Sequence, residues 1–400
     1  MTKGVGGSTF ERELADLRPW ERRAAPIGAQ ERLERLERAR ALMATIGADA
    51  LLVRGGPSLR YFTGVTWGQS ERMVAMILPR LGEPVMICPA FERATLEASL
   101  QIEARPHLWE EHEDPCALTA SVLAERGVGV LALDPELPFF IYDGLRRAAP
   151  GLSPIGGGPV VDGCRRVKSA AELGLLAQAK AMTLEVHRRA ARALAAGVTT
   201  GQVARFIDAA HRALGADGGS SFCAVQFGEA TQFPHGVPGE QTLEQGDLVL
   251  IDTGCQVHGY NSDITRTYVF GQPTAHHRRV WEIERSAQQA AFDAVRPGAL
   301  CEAIDAAARR VLEAAGLGPG YRLPGLPHRT GHGVGLSVHE APYLVRGDTT
   351  PLSPGMCFSN EPMIVVPGAF GVRLEDHFHV TDDGAAWFTQ PSPSIDEPFG

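Results

Sequence analysis

From Glu31 onward the apolar positions recur at helical spacing, with Leu33, Leu36, Met43 and Ile46 on one face and glutamates alternating with arginines on the other. The pattern predicts an amphipathic helix whose charged face is solvated. Short β-rich runs follow at residues 50–53, 73–78, 85–88 and 129–133, with Gly82 in the turn between the second and third. Helical patterns separate several of these runs, so residues from about 25 to 155 read as an α/β domain. Residues 151–163 are rich in glycine and proline and predict a linker. Behind them Ser169, Ala170, Ala171 and Glu172 spell a capping box that opens a helix reaching about residue 195. Further helices are expected from about 201 to 214 and, with Thr274 as N-cap, up to about 295. The domain reading is therefore residues 1–155, a linker at 156–168 and a second domain at 169–400, with the first nine residues loose.

The second domain carries two candidate hairpins. In the first, Leu248 to Ile251 form an apolar run, Asp252, Thr253 and Gly254 follow, the chain turns polar at His258 and Gly259, and a second β-rich run continues through Asp263 to Thr267. A turn centred on Val257 and His258 pairs Asp252 with Asp263. One centred on His258 and Gly259 pairs Asp252 with Thr265 and leaves Asp263 one diagonal away. In both registers the two carboxylates share a face, because strand side chains alternate. In the second, Phe358, Ser359, Asn360, Glu361 and Pro362 lead into an apolar run, Pro367 and Gly368 supply a turn, and residues 371–376 return. A three-residue loop at 367–369 sets Glu361 opposite Glu375. Between the hairpins stand Gly331, His332 and Gly333, with His339 and Glu340 just beyond.

Like charges opposed at about 5 Å repel, and taking each ion out of water costs several kcal/mol. Two divalent cations would neutralise Asp252, Asp263, Glu361 and Glu375, with His332 as a fifth donor. Ions about 3.5–4 Å apart in such a set form a site that activates water.

At these residues the sequence resembles the pita-bread metallopeptidases, which include methionine aminopeptidase, aminopeptidase P and prolidase. The likeness covers Asp252-Thr253-Gly254, Ser262-Asp263-Ile264-Thr265-Arg266-Thr267, Gly331-His332-Gly333, Glu361-Pro362 and Val372-Arg373-Leu374-Glu375-Asp376. Leu59-Arg60-Tyr61-Phe62-Thr63-Gly64 resembles the N-terminal domain of prolidases, aminopeptidase P and creatinases, a domain methionine aminopeptidase lacks. The resemblance implies a creatinase-like α/β N-terminal domain followed by an α+β pita-bread catalytic domain. It implies that Asp263 and Glu375 bridge two metal ions, that Asp252 completes one and His332 with Glu361 the other, and that Glu361 shuttles a proton. Manganese suits oxygen-rich donors with one imidazole, with zinc, cobalt and iron left open.

His235, in Gln232-Phe233-Pro234-His235-Gly236, and His339 match the family's two catalytic, substrate-holding histidines. Arg373 shares a strand face with Glu375 and is a candidate both for orienting carboxylates and for touching substrate. The implied activity is hydrolysis of Xaa-Pro dipeptides, as in prolidase. The alternatives are an aminopeptidase P acting on longer peptides and a non-catalytic, peptide-binding relative. Arg346 is the candidate for a prolyl carboxylate, since a guanidinium fork matches that group. The family commonly forms homodimers, which implies that Trp67 restricts access to a partner subunit's site. The chain departs from the prolidase pattern at Ser337, at Ser359 and Asn360, and at Met363, changes expected to alter the pocket and leave the metals untouched. His276 and His277 read as a solvated helix start; His377 and His379 follow Glu375 at period two, which allows them to point at the site, and of the two roles the structural one is expected.

Composition narrows the remaining classes. A net charge of -9 and a pI near 5.8 exclude the basic face of a nucleic-acid-binding protein. Seven cysteines without CxxC or zinc-finger spacing read as reduced thiols in a cytoplasm. No apolar run approaches a membrane span, and the first residues lack a signal-peptide core.

Overall fold

A computed structural model describes residues 2–400 and divides the chain into two units, Ile27–Arg165 and Arg166–Gly400, with the residues before Ile27 placed in the second. Met1 lies outside the described residues. The rest of the segment expected to be loose is held: the Gly6 and Ser8 amides donate to the carbonyls of Ala191 and Arg192 at 2.9 and 3.0 Å. Helix α1 (Phe10–Ala15) follows, capped by the Thr9 hydroxyl on the Arg12 amide.

The unit Ile27–Arg165 is α/β as its pattern predicted. Helix α2 (Ala29–Thr45) leads into β1 (Ala50–Arg54), α3 (Pro57–Thr63), β2 (Ala75–Pro79), β3 (Val85–Pro89), α4 (Arg93–Ser99), β4 (Arg105–Trp109), α5 (Pro115–Glu125), β5 (Val130–Leu133) and α6 (Phe139–Ala148). Strand β6 (Ser153–Gly156) and helix α7 (Gly158–Arg165) complete it. The strands form one six-stranded sheet in the order β4-β3-β2-β1-β5-β6, its core built from Leu52, Ile77, Ile87, Leu131 and their neighbours. Each such side chain fully removed from water contributes about 1.5–3 kcal/mol.

Two expectations fail here. The stretch at 151–163 is not a linker, because Val160, Val161 and Cys164 form a buried face on α7 that the surrounding glycines conceal. On α2, Leu33 is 47% exposed while Arg32 and Arg35 are buried. Arg35 stacks at 4.0 Å on Tyr61 and donates to the Tyr61 carbonyl, so its charge serves the interior.

The second unit begins with α8 (Ala170–Ala193), whose Ser169–Glu172 capping box forms as expected, and α9 (Thr200–Leu214). Strands β7 (Ser220–Phe227), β8 (Leu248–Val257), β9 (Tyr260–Asn261) and β10 (Ile264–Val269) precede helices α10 (Ala275–Asp293) and α11 (Cys301–Ala314). The chain ends with β11 (Gly331–Gly333), β12 (Glu340–Leu344), β13 (Cys357–Asn360), β14 (Met363–Val366), β15 (Phe370–Arg373), β16 (Asp376–Val380) and β17 (Ala385–Trp387). The sheets run β10-β8-β7, with β9 on β8; β12-β11-β13-β16-β17; and β14-β15. Helix α10 starts at the Thr274 cap, but His276 and His277 are not simply solvated, since both rings meet Phe370 at 5.0 Å. The core under α10 gathers Trp281, Phe358, Ile364, Leu374 and Phe378 from three of these layers.

Candidate metal centre

The first hairpin takes the register that turns on His258 and Gly259: Val257 pairs with Tyr260 and Asp252 with Thr265. Both turn residues are left-handed, with φ of 49° and 80°, as a two-residue hairpin of this twist requires. Pairing lapses between β9 and β10, which leaves Asp263 diagonal to Asp252. In the second hairpin Val366 pairs with Phe370 and Met363 with Arg373, and beyond them Asn360 pairs with Asp376. Glu361 and Glu375 sit in that same register, where the chain passes from the two-stranded to the five-stranded sheet. Their amides are held by Thr330 O at 2.8 Å and Thr265 O at 3.0 Å.

His332 lies on β11 between two glycines. A Cβ on Gly331 would collide with the carbonyl oxygen of Ser359, so the strands approach closely only with glycine there. The Nδ1 atom is 3.0 Å from Gly333 O, an acceptor, which assigns the proton to Nδ1 and leaves Nε2 with its lone pair. Nε2 lies 3.0 Å from Glu361 Oε1 and 3.6 Å from Asp263 Oδ2. Ser359, a departure from the prolidase pattern expected to spare the metals, sits between ligands: its Oγ accepts the His332 amide at 2.9 Å and donates to Glu361 Oε1 at 3.1 Å.

All four carboxylates and His332 line one cavity of about 520 Å³, with Phe222, Pro327 and Val338 as apolar wall. Burial, then repulsion from Glu375, Asp252 and Glu361, pushes the Asp263 carboxyl well above its usual range. Burial and the same neighbours do likewise to Glu375. Burial also raises Glu361, but the closeness of His332 and the positive charge of Arg373 outweigh that and hold it low. The cluster therefore carries more negative charge than it can tolerate alone.

The donors fit divalent cations on two grounds. His332 Nε2 and Asp252 Oδ1 are buried without a hydrogen-bond partner, in residues that line the cavity. Donor atoms of Asp263, His332 and His339, of Asp263, Glu375 and His377, and of His332, Glu361 and Glu375 lie within 4.8 Å of one another in each group. Asp252 joins none of these groups, and its Oδ2 accepts from Arg373 at 2.6 Å.

The other expected residues divide. His235 and His339 line the cavity, and burial beside His332 drives the His339 pKa down to about 4, so its ring is neutral at pH 7. Arg373 also lines it, but its guanidinium is committed to Asp252, to the Thr265 hydroxyl and to Pro234 O, which ties the His235 loop to β8. Arg346 is exposed in the turn after β12 and outside the lining, since the chain leaves the cavity along that strand. Trp67 belongs to the other unit. Of the two roles open to His377 the structural one was expected, but its buried ring points at the acids as its period-two spacing from Glu375 allowed, Nε2 lying 3.4 Å from Glu375 Oε1. His379 is half-buried against Phe388 at 5.0 Å.

Sequence reasoning missed His328 and Arg329, both in the lining. Their position directly before Thr330-Gly331-His332 was the available signal, but loop residues have no periodicity to expose them. The Arg329 guanidinium stacks 4.4 Å over Tyr343 and has no carboxylate partner among the described residues.

Comparison with known proteins identifies the family of both parts of the chain. Residues 174–382 match the model of metallopeptidase family M24, and residues 35–167 that of the creatinase/prolidase N-terminal domain. The chain is 38% identical over 356 residues to a probable dipeptidase PepE of Mycobacterium tuberculosis, covering 88% of this chain and 92% of that one. It is 32% identical over 359 residues to a Xaa-Pro dipeptidase of Lactobacillus helveticus, covering 87% and 94%. The crystal structure of dipeptidase PepE from Mycobacterium ulcerans superposes with a TM-score of 0.83 at 36% identity, over 92% of this chain and 97% of that one.

Proposed function

Since the chain belongs to metallopeptidase family M24, we propose that it is a dinuclear-metal dipeptidase that hydrolyses the Xaa-Pro bond of dipeptides. The observation that carries this reading is the meeting, in one cavity, of four carboxylates and an imidazole with an unpaired guanidinium. The first set is a hydrolytic centre, and the second is a handle for a free carboxylate.

Asp252, Asp263, His332, Glu361 and Glu375 would hold two divalent ions, manganese being our choice for so oxygen-rich a set. When bound, such ions polarise a carbonyl and lower the pKa of water. Glu361 Oε1 is engaged by Ser359, and Oε2 is the oxygen left to take a proton and return it to the leaving nitrogen. His339, neutral, donates one ring N–H toward the carbonyl oxygen as negative charge grows there, and His235 serves the same oxygen from the facing loop. Arg373 is a positioning residue for Asp252 and for that loop. His328 and the Phe222 and Val338 side chains close the walls around the substrate.

Arg329 takes the role expected of Arg346. Stacking on Tyr343 fixes its plane, so its fork meets a substrate carboxylate with little ordering cost. A charge-assisted pair of this kind is worth about 1.5–3 kcal/mol, or about 10–100-fold in affinity. Arg329→Met should therefore raise KM for a Xaa-Pro dipeptide by that factor and leave the corresponding dipeptide amide unchanged. Steady-state kinetics on the two substrates, with a Xaa-Pro-Xaa tripeptide as third, test both the residue and the class. Equal losses on dipeptide and amide would remove Arg329 from carboxylate recognition. A tripeptide preferred by the wild type would move the activity to an aminopeptidase.

A further inference from the structure

The metal-binding glutamates stand where regular strand pairing is interrupted. Strand β15 ends at Arg373 and β16 begins at Asp376, and β13 ends at Asn360 before β14 begins at Met363. The backbone groups at these two breaks need partners from elsewhere, because a buried unpaired peptide group costs about as much as a lost hydrogen bond.

Thr330 O and Thr265 O take the two glutamate amides, and helix α10 serves the residues just before them with two side chains one turn apart, Glu284 and Gln288, both fully buried. Gln288 Nε2 donates toward Asn360 O at 3.3 Å, Leu374 O at 3.1 Å and Asp376 Oδ2 at 3.3 Å. Asn360 Nδ2 answers by donating to Gln288 O at 2.8 Å. Glu284 Oε1 accepts the Leu374 amide at 3.2 Å. Both peptide groups of Leu374 are thus held from α10, and the residues immediately before Glu361 and Glu375 are tied to one amide.

We propose that Gln288, with Glu284, is a positioning residue of the metal centre that sets the spacing of Glu361 and Glu375 by clamping the backbone beside each. The inference rests on the metallopeptidase reading and adds to it a determinant of metal affinity that touches neither metal nor substrate. A carboxylate displaced by a few tenths of an ångström still folds, but it no longer presents its lone pairs to the same point. Outer partners of ligands typically cost 10–100-fold in metal affinity when removed.

The test uses the full-length protein, stripped with chelator and titrated with Mn2+, with the dissociation constant read by calorimetry and the fold by circular dichroism. Gln288→Met keeps length and removes the donors; it should weaken Mn2+ binding about 10–100-fold with the secondary structure retained. Glu284→Gln keeps an acceptor for the Leu374 amide and should bind Mn2+ as the wild type does, while Glu284→Ala should lose affinity. Wild-type affinity in a folded Gln288→Met overturns the clamp. So does equal loss in Glu284→Gln and Glu284→Ala, which can be read even if Gln288→Met fails to fold. A wild-type protein that takes up no metal would instead refute the metallopeptidase reading itself.

Discussion

Asp263→Asn should give a folded protein that has lost both its metal and its turnover. Asp263 is 5% exposed, contributes a donor to two of the three candidate metal groups, and lies in the first hairpin close enough to Glu375 and Glu361 of the second to be repelled by both. Asparagine keeps the shape but removes one negative charge and leaves a single oxygen for a bridging role. A centre that supplies several kcal/mol of transition-state stabilisation is then lost, so kcat/KM should fall by about 10³-fold or more. Metal content after dialysis against Mn2+, measured by elemental analysis, should fall with it. Near-normal turnover would remove Asp263 from the centre.

The same substitution should have the opposite effect on the metal-free protein. Burial and neighbouring carboxylates push the folded-state pKa of Asp263 well above its usual value of 3.8. The folded state therefore binds a proton more tightly than the unfolded chain, and stability is lost as pH rises from about 4 through the raised folded value. At neutral pH the ionised carboxylate is a burden that only cations relieve. In chelator, Asp263→Asn should melt at or above the wild-type temperature and with a flatter pH dependence; with Mn2+ present the wild type should be the more stable. A variant that melts lower under both conditions would indicate that the carboxylate is held by the protein alone.

The chemistry of the centre was more legible in the chain than its packing. Period-two alternation puts Asp252 and Asp263 on one face in both two-residue-turn registers, and the loop at 367–369 fixes Glu361 against Glu375, so the acidic pairs follow from strand geometry. The hairpin register depended on whether Val257 or Gly259 joins His258 in the turn, and the structure uses the glycine, which takes its φ of 80° without steric cost. Arg329 was hidden for a different reason: its carboxylate-free surroundings exist only once the cavity closes around it. Glycines at 151–163 disguised α7, whose buried face belongs to a helix that packs on α2, far from it in sequence. The buried arginines of α2 likewise look solvated until Tyr61 is placed beneath them.

Ser359 shows how a residue outside the metal motif can bear on the reaction, and it leads to the second large effect. Its hydroxyl occupies Glu361 Oε1, so only Oε2 is left to carry a proton. Glu361→Gln retains an oxygen for the metal and the contact to Ser359, but an amide does not accept and return a proton. General acid–base catalysis of this kind contributes about 10²–10⁴-fold, and that is the expected fall in kcat at saturating Mn2+. Because the loss falls on a proton in flight, KM for the dipeptide should change little, which separates this variant from Arg329→Met, whose effect lies in KM. Ser359→Ala offers the graded comparison: it frees Oε1 and should change kcat far less than Glu361→Gln does. If Glu361→Gln retains kcat within about tenfold of wild type while holding its metal, proton transfer belongs to another group, and the buried His377 beside Glu375 becomes the next residue to replace.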